Sequence, residues 1–306
     1  MLDRLGENVF AAVLRAHQLH ARVTDNITYC GNWTDRDAAT DRGLFHLLDS
    51  GSCWVESAAL PEPLRLQAGD LIMFPHGHGH TLCNALSQPI EAGAEPGATI
   101  MLCGEFTFAT GRHNPILDAL PDWFVLRADN ADAGFRTLAQ LLATESGKGN
   151  FGSEVVLDKL ADAFFVMALR SYIEHAENRR GLLAAIFDPR IARALHVIHT
   201  QPGKPWTVAS LAEVALQSRT AFAQAFSDLL GISPIDYLTR WRMTEAARTL
   251  RDPRRSVAAI AEQFGYQTEA AFRRAFKKLH GFGPGKIRRE AAHAAQTETA
   301  SGNDQD

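Results

Sequence analysis

Apolar positions change their rhythm along this chain. Residues 7–17 repeat at helical spacing, and residues 27–108 then alternate short apolar runs with turn residues, as an all-β unit should. Strands are expected at 27–31, 43–51, 52–57, 70–75 and 99–108, with Gly69-Asp70 turning the chain before the fourth. The stretch 153–177 returns to a helical period. Val156, Leu160, Phe164, Met167 and Tyr172 form its apolar side, which suits either core packing or a dimer surface.

The last third repeats itself. "LAEVALQSRTAFAQAFSDLLGISP" (211–234) resembles "IAEQFGYQTEAAFRRAFKKLHGFGP" (260–284), so Phe222, Phe226, Gly231 and Pro234 recur as Phe272, Phe276, Gly281 and Pro284. Each copy reads as two helices, 207–215 with 219–229 and 256–264 with 269–279. Thr207, Ser218, Ser256 and Thr268 stand where N-caps are expected. In each second helix the aromatic stripe is buried and the opposite face is small and polar. Two short helices with a tight turn between them describe a helix-turn-helix, whose second helix can offer side chains to base edges. A plain helical bundle is the alternative for one copy; duplication with the same caps favours DNA. Between the copies, 234–250 reads as one helix of about 25 Å, long enough to set two reading heads near one duplex turn, about 34 Å, apart.

Charge changes the picture. Residues 186–290 carry 17 Lys/Arg against 9 Asp/Glu, whereas residues 1–185 carry 14 against 23. A basic block on an acidic one points the C-terminal third towards a polyanion. No apolar run approaches the length of a membrane span, and the N-terminal residues lack the pattern of a signal peptide. Four widely spaced cysteines form no C-x-x-C, which favours a reduced, cytoplasmic protein. No nucleophile–base spacing, phosphate loop or paired carboxylates suggest an enzyme.

The motifs "LA" then "SR..F...F", "G.SP..YL...R...A...L" and "IAE.FGY…F.RAFKK..G..P" resemble the double helix-turn-helix domain of the AraC/XylS transcriptional regulators, over roughly 188–289. Gly283 and Ile287 depart from that family's usual Ser and Tyr. The resemblance implies that Thr220, Ala223, Gln224, Glu269, Ala270, Arg273 and Arg274 face DNA, and Arg219 joins them on the polar face of its helix. Arg240, Arg242, Lys277 and Lys278 are expected on phosphates. It also implies double-stranded DNA and RNA polymerase as partners, and activation of transcription as an output.

Upstream, "L..GDLIMFP…H.L" with "FH...SG.C" before it and "LCG.F" after it resembles the cupin-type sensor domain of one group of these regulators. The expected fold class is therefore α+β in two domains. A cupin-like β-barrel with flanking helices (1–180) precedes an all-α double helix-turn-helix (181–290) and a disordered tail (291–306). Within the barrel, "PHGHGH" places His76, His78 and His80 at alternate positions, as a transition-metal site would, with His46 as an extra ligand. No acid follows until Glu91, so a polar loop without metal is preferred, and no cofactor is expected. The alternative is a metal-binding cupin, enzyme or metal sensor, fused to a DNA reader. Cys30, Cys53, Cys83 and Cys103, with His46 and His80, are the candidates for sensing a small-molecule effector or oxidant. A homodimer is expected.

Overall fold

The computed structural model describes residues 4–85, 98–108, 114–176 and 179–301, with side chains up to His293. Helix α1 (Arg4–His17) leads into β1 (Leu19–Tyr29), β2 (Thr34–Asp37), β3 (Gly43–Ser50), β4 (Ser52–Ser57), β5 (Leu64–Gln67), β6 (Leu71–Phe74), β7 (His80–Cys83), β8 (Thr99–Phe108) and β9 (Phe124–Leu126). Then follow α2 (Ala133–Ser146), α3 (Ser153–His175), α4 (Gly181–Ala185), α5 (Pro189–Thr200), α6 (Val208–Val214), α7 (Arg219–Leu230), α8 (Pro234–Thr249), α9 (Val257–Gln263), α10 (Glu269–His280) and α11 (Pro284–Ser301).

The strands form two antiparallel sheets, ordered β1-β8-β3-β6-β9 and β2-β7-β4-β5. Alternation sorts their side chains. Leu48, Val55, Leu66, Ile72, Phe74, Leu82 and Met101 make a dry core, while Phe45 and Phe106 on the other face meet α3 through Phe164 and Phe165. Asp70 anchors the turn before β6. One carboxylate oxygen accepts from Arg127 and the Gln67 amide, the other from the Ala128 amide at 3.0 Å.

Four of the expected strands sit close to their expected ranges; the fifth, expected at 27–31, is the end of a longer strand that begins at Leu19. The short strands β2, β5, β7 and β9 were not anticipated. The buried side of α3 is made by Ala161, Phe164, Phe165, Ala168, Leu169 and Ile173. Val156, expected there, is exposed, together with Phe151 and Val155. Core packing thus accounts for most of this helix.

Two compact units divide the chain, and the division is not a single cut at residue 180. The β unit holds Leu19 to β8 and Ala119 to Arg179. The helical unit holds the described residues from Arg180 onward, together with those before Leu19 and those from 114 to Asp118. The stretch expected as a disordered tail continues α11 as far as Ser301; residues 302–306 lie outside the described residues.

Candidate functional site

In the helical unit the repeat folds as its caps dictate. Thr207 and Ser210 form a reciprocal capping box on α6, and Ser218 caps α7 at the Ala221 amide. Ser256 and Thr268 do the same for α9 and α10. Gly231 and Gly281 end α7 and α10 with φ of +70° and +80°, a left-handed turn that costs glycine little. Phe222, Phe226, Phe272 and Phe276 are fully buried, and Ile287 completes the second core against Met243, Leu250 and Phe264. The departure at Ile287 is therefore absorbed by packing.

Burial of the phenylalanines turns the opposite faces outward. Arg219, Thr220 and Gln224 are exposed on α7, and Ala223 is half-buried between them. The Gln224 amide donates to Asp228 at 2.7 Å. On α10, Ala270, Arg273, Arg274, Lys277 and Lys278 are exposed, and Glu269 holds Arg273 in an i,i+4 ion pair at 2.6 Å. Arg274, Lys277 and Lys278 have no ion pair among the described residues. The two faces differ in charge. Helix α10 carries four Lys/Arg and one Glu, whereas α7 carries one Arg and one Asp.

One expected phosphate ligand is engaged within the fold. The Arg242 guanidinium donates to the Pro202 and Lys204 carbonyls at 2.6 and 2.8 Å, so it braces the turn before α6. Arg240 is half-buried and lines a partly open pocket beside α8.

The β unit has its own cluster. His46 on β3 lies in register with Cys103 on β8, and Asp37 on β2 lies in register with His80 on β7. The sheets thus bring together groups far apart in sequence. His46 Nε2 is 2.6 Å from His80 Nε2, and Asp37 Oδ2 is 3.5 and 3.2 Å from those two nitrogens. His80 Nδ1 sits 2.9 Å from the His78 carbonyl. A carbonyl only accepts, so Nδ1 carries a proton; Nε2 faces the cluster, a donor to Asp37 in the imidazolium and an acceptor in the neutral ring. Cys103 Sγ is 3.1 Å from His46 Nδ1. Both imidazoles are buried, while Asp37 opens onto a cleft of about 640 Å³ shared with Arg36 and Glu56. Burial pushes the His46 pKa down to about 3, and a hydrogen bond from His80 lowers that of Asp37. The cluster is a neutral imidazole, a second imidazole and a carboxylate converging on one point.

The metal trio kept as the alternative reading, His76, His78 and His80, does not assemble. Gly77 turns the chain with φ +66°, where a Cβ would strike the Thr40 and Arg42 carbonyls at 2.3 Å, and only His80 enters a strand. His76 is exposed and faces the Leu120 carbonyl at 3.3 Å; the half-buried His78 is not among the converging groups. Asp37 takes their place. Its strand, "TDRD", has no apolar alternation, so nothing local marked it. The cysteines divide as well. Cys30 is exposed, while burial raises the pKa of Cys53 to about 12 and raises those of Cys83 and Cys103.

A cupin family model matches residues 8–174, and a helix-turn-helix domain model matches 211–290. The chain is 31% identical over 295 residues to a putative AraC-like transcription regulator of Streptomyces lividans, covering 90% of this chain and 96% of that one. It is 27% identical over 254 residues to the RCS-specific transcriptional activator RclR of Escherichia coli K12, covering 82% and 86%. Among solved structures, it is similar to ToxT of Vibrio cholerae O395 over 90% of this chain and 98% of that one, at 9% identity and a TM-score of 0.38. Among the described residues no helix is long and apolar enough to cross a membrane. With a cupin domain ahead of a duplicated helix-turn-helix, the chain belongs to the AraC-like family of DNA-binding transcription regulators.

Proposed function

We propose that this regulator takes its signal at the Asp37–His46–His80 cluster, and that the signal is a divalent transition-metal ion. One observation carries the reading. Three groups converge there, and with both rings neutral and His80 Nδ1–H committed to a carbonyl, their facing atoms are acceptors with at most one proton between them. A cation resolves that crowding. Ligands at 2.0–2.1 Å from a tetrahedral ion lie roughly 3.3 Å apart. Two of the three separations already suit this, and the imidazoles need part by less than an ångström. Imidazole and carboxylate favour zinc, nickel, copper or iron over calcium or magnesium. Cys103, on the far side of His46, would orient that ring and not ligate through its Nε2. The buried thiols are held protonated, which favours the cluster over cysteine oxidation as the input.

Elemental analysis of the full-length protein, after chelation and reloading with zinc, nickel or cobalt, tests this. One tightly held ion per chain is expected, lost in His46→Ala and His80→Ala variants and weakened in Asp37→Asn. Metal content far below one per chain in the reloaded wild type sinks the reading.

In the output domain, base reading is assigned to Gln224, Arg273 and Arg274, and phosphate contacts to Lys277 and Lys278. Metal binding would shift the population between two arrangements of the DNA readers, so the chain acts as a regulator without catalysis. We place it in the cytoplasm, with RNA polymerase as partner. The exposed Phe151, Val155 and Val156 support a homodimer.

A further inference from the structure

The repeat supplies its own control for one glycine. Leu216 and Gly265 stand at the same place in the two copies, in the turn between the helices. Their amides make the same bond, Leu216 to the Glu213 carbonyl and Gly265 to the Glu262 carbonyl. Both are left-handed, with φ of +55° and +79°. The first copy accommodates a leucine there, 77% exposed, so the turn by itself does not demand glycine. The second copy has no room. A Cβ on Gly265 would lie 2.6 Å from the Gly203 carbonyl oxygen, and one on Gly203 would lie 2.1 Å from the Gln263 carbonyl oxygen. Two backbones therefore meet without side chains between them. One is the stretch 201–206 that leads into α6 of the first copy; the other is 263–265, at the end of α9 in the second.

Arg242 completes the joint from α8. Its Nε and Nη2 donate to the Pro202 and Lys204 carbonyls, on either side of Gly203. Nη2 also lies 3.2 Å from where a Gly265 Cβ would be, so one guanidinium reaches both copies. Its planar fork holds two carbonyls at once, which a lysine ammonium does not match. The gripped turn is braced within itself. The Lys204 amide and the Trp206 indole both donate to the Gln201 carbonyl, and the Lys204 ammonium lies 4.2 Å from the centre of the Trp206 ring. Helix α8 alone would join the readers by one rod. Phe226 of the first packs on Tyr237 near its start, and Met243 and Leu250 enter the second core near its end. The contact between Gly203 and Gly265 is a second crossing, away from the axis of that rod.

We propose that Arg242, Gly203 and Gly265 are positioning residues: their joint fixes the angle between α7 and α10 and so sets the operator spacing that the protein accepts. Arg242 acts through the two reading helices and not through a base or a phosphate of its own. Moving one half of an operator by a base pair shifts it about 3.4 Å along the duplex and turns it by about 34–36°. Readers held at two points cannot follow that turn, whereas readers held by α8 alone can twist towards it. The joint converts base reading by two short helices into recognition of one spacing, and the readers tilt on DNA as one body. It rests on both copies reading DNA and is independent of metal at the Asp37–His46–His80 cluster.

An operator is selected from a randomised pool, and its two halves are then moved together or apart by single base pairs. Gel-shift titrations of the full-length protein read the result. Wild type should lose about tenfold or more in affinity on a shift of one base pair, because the second reader no longer engages. Arg242→Gln and Gly203→Ala should each weaken the original spacing and flatten the profile, the same shift then costing about threefold or less. Arg242→Lys should fall between. Operators with one half scrambled should bind wild type and variants alike, within about twofold, since a single reader gains nothing from the joint. A general loss of stability would weaken those too. Gly203→Ala opens the joint with Arg242 intact, so either variant serves if the other does not fold; circular dichroism checks each. Three results would overturn the proposal. They are a selected operator with a single contacted block, a wild type that accepts a shift of one base pair without loss, or a wild-type profile in a folded Arg242→Gln or Gly203→Ala.

Discussion

Arg273 and Arg274 are neighbours in sequence with different freedom. Glu269 holds Arg273 at 2.6 Å, which pre-orients its guanidinium but makes any base contact compete with an ion pair. Arg274 has no such competitor and is free to place two N–H donors on a guanine edge. Arg274→Ala is therefore expected to cost about 1–3 kcal/mol of discrimination at one base pair and to relax the preference there. Selection from a randomised operator pool measures it; an unchanged preference at every position contradicts the assignment. The same scale shows where sequence reading stops. Thr207, Ser218, Ser256 and Thr268 were legible as caps because capping is local, decided within three residues. Asp37 was not legible, because its role comes from register with His80 on a strand 43 residues away.

Elements repeat this contrast. The helices of the C-terminal third fall within a residue or so of their expected bounds, since their 3.6-residue stripe, caps and glycine ends agree with one another. The missed strands are short: β2, β5 and β7 have four residues and β9 has three, too few to show a period of two. They are strands because neighbours pair with them: β5 and β7 with β4, β9 with β6, and β2 with β7. The two reading helices are equally regular but unequal in charge, which has a measurable effect. Each phosphate neutralised contributes about 0.9 to the slope of log affinity against log salt. Replacing Lys277 and Lys278 by alanine should flatten that slope by about 1–2 and weaken all sequences alike. Arg219→Ala on α7 should flatten it by 1 at most. Gel-shift titrations at several salt concentrations decide; equal effects from the two helices would remove the distinction.

At the scale of the whole molecule, two buried histidines tie the helical unit to pH. Burial lowers the pKa of His17 to about 4 and that of His199 to about 3, with His196 and His17 adding to the shift of His199. In the unfolded chain both titrate near 6.5. Between that value and the folded one the unfolded state binds more protons, so stability rises with pH in this window and falls as acid is added. Above 6.5 these groups add no slope. From pH 6.5 to 5 each should remove roughly 1 kcal/mol per pH unit. Urea unfolding at pH 7, 6 and 5 tests this, and His199→Asn should lessen the slope. A stability that does not change from pH 7 to 5 would show that these imidazoles protonate without unfolding the protein.

The charge difference between α7 and α10 also orders events in time. A protein that searches DNA is held first by long-range attraction, which is felt before any base edge is in reach. With four cations against one, α10 is expected to land first and to stay attached while the molecule slides. Helix α7, nearly neutral, gains little from DNA of the wrong sequence and can lift and reset at each step. The first copy of the repeat then governs how long the regulator remains at a site, and the second governs how quickly it arrives.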